Sequence, residues 1–229
     1  MERVVVSTPS SQQAALVDFV RTLQQQKIID LATGDHLRFD PHYNETLWTD
    51  VPLFGINVAN YWNCDPDAEI QYINKVALLA QLTSSPANFP LQPGTTTGPF
   101  DFSLYALWDF REAFENTAEP RAHNTTVLRA AALWMIHAAD RLWENVRAKR
   151  DFRHRASNGN PAKEGDASRK SRKRWVGFNK ERWDIWIKGL ENGKEVEDEE
   201  VRGLVEEALE QVELIERQDW RVERDEMYA

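Results

Sequence analysis

His137, Asp140, Arg141 and Glu144 stand within about two helical turns of one another in the stretch 130–146, AAALWMIHAADRLWENV. An imidazole titrates near neutrality, so His137 could act as a general base, with the Asp140 carboxylate one turn away to orient its ring. The plainer chemistry is a histidine at the edge of a core beside ion pairs between adjacent turns. No serine or cysteine has the flanking sequence of an activated nucleophile, so no motif supports His137 and Asp140 as catalytic candidates. His36, Asp40, His42 and Glu45 are of metal-ligand types, but they fall in an irregular stretch without the fixed helical spacing of a zinc motif. A solvated loop accounts for them. Gly94 and Gly98 sit among prolines and threonines and make no phosphate cradle. No metal and no cofactor is expected.

The nine tryptophans offer a different chemistry. Trp108, Trp134, Trp183 and Trp186, with His137, could line an interhelical pocket for a small, flat, apolar ligand. Such rings more often fill a core and find an acceptor for the indole N–H. A third chemistry is electrostatic. Arg169, Lys170, Arg172, Lys173 and Arg174 form a basic patch of the kind read as a nuclear-import signal or a dock for an acidic partner. Ser168 and Ser171 lie beside these charges, where a phosphate would neutralise them. The patch could equally lie on the chain's own acidic C-terminal helix, or be a solvated loop.

Helices must position all of these. Residues 127–146 contain no glycine or proline and are apolar on almost every side in the first half, which predicts a helix enclosed by its neighbours. Asn124 or Thr125 can cap it, and Arg147, Lys149 and Arg150 suit its C-terminal end. Leu16, Phe19, Val20 and Leu23 predict a helix over 12–30, with shorter ones over 53–62 and from Asp65-Pro66 through Ala80. Residues 84–99 are a proline-rich connector, and 101–116 return to helix with Leu104, Leu107, Trp108 and Phe114 on one side and Asp109 pointing elsewhere. Asn179 and Asp198 cap two further helices, the first with a Trp183, Trp186, Ile187, Leu190 seam, the second following Val201, Leu204, Val205, Ala208 and Val212. The expectation is an all-α, single-domain helical bundle of about seven helices around a central buried helix. Residues 1–10 read as a flexible N-terminal tail, 11–220 as the helical domain with a mobile basic loop at 153–174, and 221–229 as a C-terminal tail.

The totals narrow the function classes. A formal net charge of −9 disfavours general nucleic-acid binding, which draws on positive surface. The charge is uneven: residues 147–174 hold eleven Lys or Arg against three acids, whereas 191–229 hold fifteen acids against five bases. A single cysteine, Cys64, excludes an internal disulfide and a Cys-rich zinc site. No basic start followed by an apolar run marks a secretory leader, and no window is apolar enough to span a membrane. The expected location is cytoplasmic, or nuclear if the basic patch is an import signal.

Three blocks, YALWDFREAFE at 105–115, AAALWMIHAADRLWENV at 130–146 and FNKERWDIWIKGLE at 178–191, resemble in order and spacing a family of fungal proteins known as domain of unknown function 3632. The resemblance spans roughly residues 50–215. The helix from Trp108 to Ala113, the Ala-rich helix ending at Trp143 and the Arg182 to Trp186 helix are packing motifs, so the resemblance implies a helical fold and transfers no catalytic residue. These readings favour a non-enzymatic protein-interaction module whose protein partner is unidentified. The alternative is a small-molecule-binding protein, or an enzyme of secondary metabolism, with an aromatic interhelical pocket.

Overall fold

The structure is a computed structural model of the chain and describes residues 2–40, 45–62, 69–84, 98, 100–116, 125–152 and 159–227, with backbone alone at 2, 3, 61 and 219–227. The architecture is all-α. Among the described residues there are nine α-helices and no strand, only isolated antiparallel bridges. The helices are α1 (Glu2–Ser7), α2 (Ala14–Gln24), α3 (Phe54–Trp62), α4 (Glu69–Thr83), α5 (Ser103–Phe110), α6 (Thr125–Arg147), α7 (Asp166–Lys170), α8 (Lys180–Gly193) and α9 (Glu199–Met227). A π-helical turn, Arg111–Glu115, extends α5.

Helix α6 is the axis of the bundle. Residues 130–135 are buried in succession, on all sides, between α4, α5, α8 and α9. The run of small alanines lets those neighbours approach closely while Leu133, Trp134 and Met135 fill the gaps. The helix is not straight: Ala138 leaves helical geometry at φ −138°, ψ 17°. Just beyond it, the Asp140 carboxylate accepts the Arg141 backbone N–H at 2.7 Å. An aspartate side chain that captures a main-chain amide competes with the helical carbonyl for it, which explains a break with no proline or glycine.

Helix α9 covers α6 more extensively than any other element, burying Val201, Val205, Ala208 and Val212 at helical spacing. Asp198 starts it as expected, accepting the Val201 N–H at 3.1 Å. Asn179 caps α8 by accepting the Arg182 N–H at 2.9 Å.

The chain departs from its composition at three places. Residues 2–7 form a helix, not a loose tail: Val5 is buried, and Asn74 of α4 donates to the Val6 carbonyl at 2.8 Å. At the other end α9 runs on to Met227, through most of the expected C-terminal tail. Residues 159–177 are the third. Of the expected mobile loop, 153–158 lie outside the described residues, but 159–177 form a strap fastened across the π-helical turn, with α7 inside it and Ala162, Glu164 and Ser168 buried. Two of the nine helices, α1 and α7, are those missing from the expected count, because both are too short to show periodicity. Asn124, Asp65-Pro66 and the connector residues 85–97, for which the sequence carries expectations, fall outside the described residues.

The strap approaches the rest of the chain backbone to backbone. The Phe178 N–H donates to the Arg150 carbonyl at 2.9 Å, and a Cβ on Gly177 would lie 2.1 Å from that same oxygen. A methyl group there has no room unless the strap lifts. Gly177→Ala should therefore cost about 2–3 kcal/mol and lower the thermal midpoint by several degrees, measured by calorimetry. An unchanged midpoint would contradict this packing.

Candidate functional site

The densest buried chemistry lies around the π-helical turn, a widened geometry that recurs at functional positions. It follows α5, whose residues are buried on every side except at Trp108. An enclosed helix has no outer face, so Asp109, expected to point away from the apolar side, is instead inside. Its carboxylate accepts the Tyr72 O–H at 2.5 Å and the Trp134 indole N–H at 2.6 Å. Lys75, itself buried, sits over the rings of Trp62 (5.1 Å) and Tyr72 (5.5 Å). Burial drives the Asp109 carboxyl up to about 7, although the Tyr72 and Trp134 donors and the Lys75 charge pull the other way. Burial, followed by the charge and hydrogen bond of Asp109, pushes the Tyr72 phenol well above its ordinary range. Of this buried trio, Asp109 is the group placed to exchange a proton near neutrality. A chain of rings borders it: Trp62 to Tyr105 at 4.7 Å and Tyr105 to Trp108 at 5.1 Å.

At the other end of the turn, Glu115 and Arg182 are both fully buried. The guanidinium donates Nε–H to Glu115 Oε1 (2.6 Å) and Nη2–H to Oε2 (3.0 Å). Its remaining donors go to the carbonyls of Ala162 (2.7 Å), Gly177 (3.1 Å) and Lys163 (3.0 Å). All five N–H groups are spent, three of them on strap backbone. Glu115 also accepts the Trp186 indole N–H (2.8 Å) and the Gly165 N–H (3.0 Å). A Cβ on Gly165 would lie 2.5 Å from the Glu115 carbonyl oxygen, so only glycine brings that amide so near.

A third buried cluster joins α6 to the start of α5. Arg141, fully buried, and Arg150 both donate to Asp101, the latter at 2.6 Å, while Ser103 donates its hydroxyl at 2.5 Å and its N–H at 3.0 Å. Burial alone would raise the Asp101 carboxyl, but Arg150, Arg141 and Ser103 outweigh it and hold it below the usual carboxylate range.

The residues singled out in the sequence stand elsewhere or do other work. His137 is half-buried and lines an open groove of about 250 Å³ with Val17, Asp18, Arg21, Gln81 and Ser84; burial depresses its pKa. Asp140 is exposed and accepts from Ser84 (3.2 Å) and from its own helix. No hydrogen bond between the Asp140 carboxylate and the His137 ring occurs among the described residues. Trp134, Trp183 and Trp186 are fully buried, and their indoles donate to Asp109, Glu216 (3.0 Å) and Glu115. Trp108 is half-buried and donates to the Pro161 carbonyl at 2.8 Å.

The basic patch is partly neutralised at home. Arg169 and Arg174 reach Glu164 (3.6 and 3.2 Å), Arg169 also reaches Asp166 (3.5 Å), and Lys173 pairs with Glu181. Among the described residues none of these pairs is with α9, the acidic helix on which one reading placed the patch. Ser168 is buried and closed to modification; Ser171 is exposed. His42 lies outside the described residues, among which no group of three or more His, Cys, Asp or Glu could hold a metal. No helix among them is long and apolar enough to cross a membrane. Sequence reasoning missed Tyr72, Lys75, Asp109, Glu115 and Arg182; a lysine in the apolar run 73–80 was the one available signal.

The sequence profile of a family described as a protein of unknown function (DUF3632) matches residues 2–190. The chain belongs to that family. Helices α1 to α7 and nearly all of α8 lie inside the matched range, with both ends of the π-helical turn and the whole strap, while α9 lies beyond it. No curated protein and no solved structure matches the chain.

Asp109 gives this DUF3632 protein a pH signature. Its folded pKa lies above its ordinary value, so as pH falls the folded state takes up this proton before the unfolded state does. The stability it contributes should rise from pH about 7 to about 4 and then level off. Asp101, with a depressed pKa, acts oppositely and at lower pH. In urea unfolding at a series of pH values, Asp109→Asn should remove the first of these slopes. An identical pH profile in wild type and variant would contradict the assignment.

Proposed function

We propose that this protein is a non-enzymatic protein-interaction module, and that its partner-binding surface is the segment between α2 and α4 rather than a groove in the bundle. One observation carries the reading: among the described residues from 25 to 62, not one is buried, yet the segment is rich in large apolar side chains. Ile28, Ile29, Leu31, Phe39, Leu53 and Ile56 are six of the eleven exposed large hydrophobics among the described residues, and Leu31 is 98% exposed.

Short-range bonds give this surface a shape. The Leu37 N–H donates to the Ile28 carbonyl (2.8 Å) and the Leu47 N–H to the Leu37 carbonyl (3.0 Å), with bridges at Ile29–His36 and Arg38–Thr46. In such a ladder alternate residues share a face, which puts Ile28, Leu37, Phe39 and Leu47 together. Gln24 ties the end of α2 to it through the Thr49 carbonyl at 3.1 Å. Apolar surface gathered this way and left in water marks a place where another macromolecule sits.

A second reading, a small-molecule binder or an enzyme of secondary metabolism, draws on the Tyr72–Lys75–Asp109 centre and the rings beside it. In that reading Asp109, not His137, is the proton-transfer group. The two readings part in one experiment. Leu31→Asp and Phe39→Asp change exposed positions and should shift stability by no more than about 0.5 kcal/mol. A pull-down from native extract should retain a protein with the wild type and lose it with both variants. Equal retention, together with a metabolite that raises the thermal midpoint of wild type but not of Asp109→Asn, would favour the second reading.

A further inference from the structure

Helix α7 ends in a tight turn in which the Arg172 N–H donates to the Arg169 carbonyl (3.0 Å) and the Lys173 N–H to the Ser168 carbonyl (2.9 Å). This helix ending places one residue in left-handed backbone, a position suited to glycine or asparagine. Here the residue is Arg172, at φ +61°. A side chain with a Cβ is disfavoured there relative to glycine. The strap beneath is fixed by Arg182 and Glu115, so Arg172 and Lys170 are held outward, both exposed. Unlike Arg169, Lys173 and Arg174, neither has an ion-pair partner among the described residues.

Helix α9 carries the complementary condition. Its inner face is spent on α6, while Glu206, Glu207 and Glu210 crowd one exposed turn, with no basic partner among the described residues. Like charges four apart on a helix repel and destabilise it. Each surface thus lowers the stability of the single chain, and the two are opposite in sign. They have separate seats in the fold: α7 packs on the π-helical turn, α9 on α6 and α8.

We propose that the Lys170–Arg172 turn of one copy docks on the Glu206–Glu210 turn of a second copy, giving a weak head-to-tail self-association. The contact is independent of the apolar surface proposed above. Because the two surfaces differ, it is heterologous and propagates unless the rotation closes a ring. Each copy carries −9, so the copies repel at long range. At about 0.1 M salt, screening beyond roughly 10 Å removes most of that repulsion and leaves the close pairs, whereas about 1 M salt removes both.

Sedimentation equilibrium of the full chain at several concentrations tests this. Wild type should self-associate near 0.1 M salt and be monomeric near 1 M. Arg172→Gly should raise the thermal midpoint yet weaken association several-fold. Lys170→Glu with Arg172→Glu, or Glu206→Lys with Glu210→Lys, should each weaken it by about tenfold or more, and mixing these two variants should restore it. A monomer at every concentration, association that persists near 1 M salt, or reversals without effect would each overturn the proposal. So would Arg172→Gly associating like wild type, and this variant stays informative if the charge reversals fold poorly.

Discussion

A guanidinium enclosed in a protein must find acceptors for five N–H groups, and Arg182 finds two on Glu115 and three on backbone carbonyls of the strap. That requirement organises half of the molecule. Removing either charge would leave the other buried without a counter-charge, at a cost of several kcal/mol. Replacing Arg182 with lysine would not serve, since one ammonium cannot reach two carboxylate oxygens and three carbonyls in a plane. The same contacts hold the strap over Phe110, Phe178 and Trp186, whose rings stack at 4.6 Å and meet edge-on at 5.7 Å.

Carboxylates recur in this core because tryptophans do. A buried indole N–H needs an acceptor, and Trp134, Trp183 and Trp186 each find one on an acidic side chain. Two of those acids lie close along the chain, Asp109 in the last turn of α5 and Glu115 at the end of the widened turn that follows it. The outcomes differ with the company each keeps. Glu115 has a guanidinium in contact. Asp109 is held by neutral donors, with Lys75 acting on it through space, and burial therefore pushes its pKa up.

Much of the helical frame was legible. The periodicities of α6, α8 and α9 and the caps Asn179 and Asp198 stand where the residues put them. The break at Ala138 was not, because it depends on which acceptor wins the Arg141 amide, a choice that spacing does not encode. Asp109 was misplaced because a helical wheel assumes one solvent side, and α5 has none. The strap misled for a different reason. Its composition is that of a solvated loop, yet it is fastened through its main chain and through Gly165 and Gly177, which composition does not register. The exposed apolar residues at 25–62 are visible in the sequence, but that nothing in the same chain covers them is a property of the fold alone.

The bundle interior is therefore packed around α6, while other features lie outside it: the apolar ladder before α3 and two opposed charged turns. This contrast rests on the strap being a fixed part of the fold. Native-state hydrogen exchange at the Gly165 amide, which donates to Glu115 from a buried position, measures that directly. Protection comparable to the amides of α6 is the predicted result. Exchange at the rate of an open loop would contradict the account.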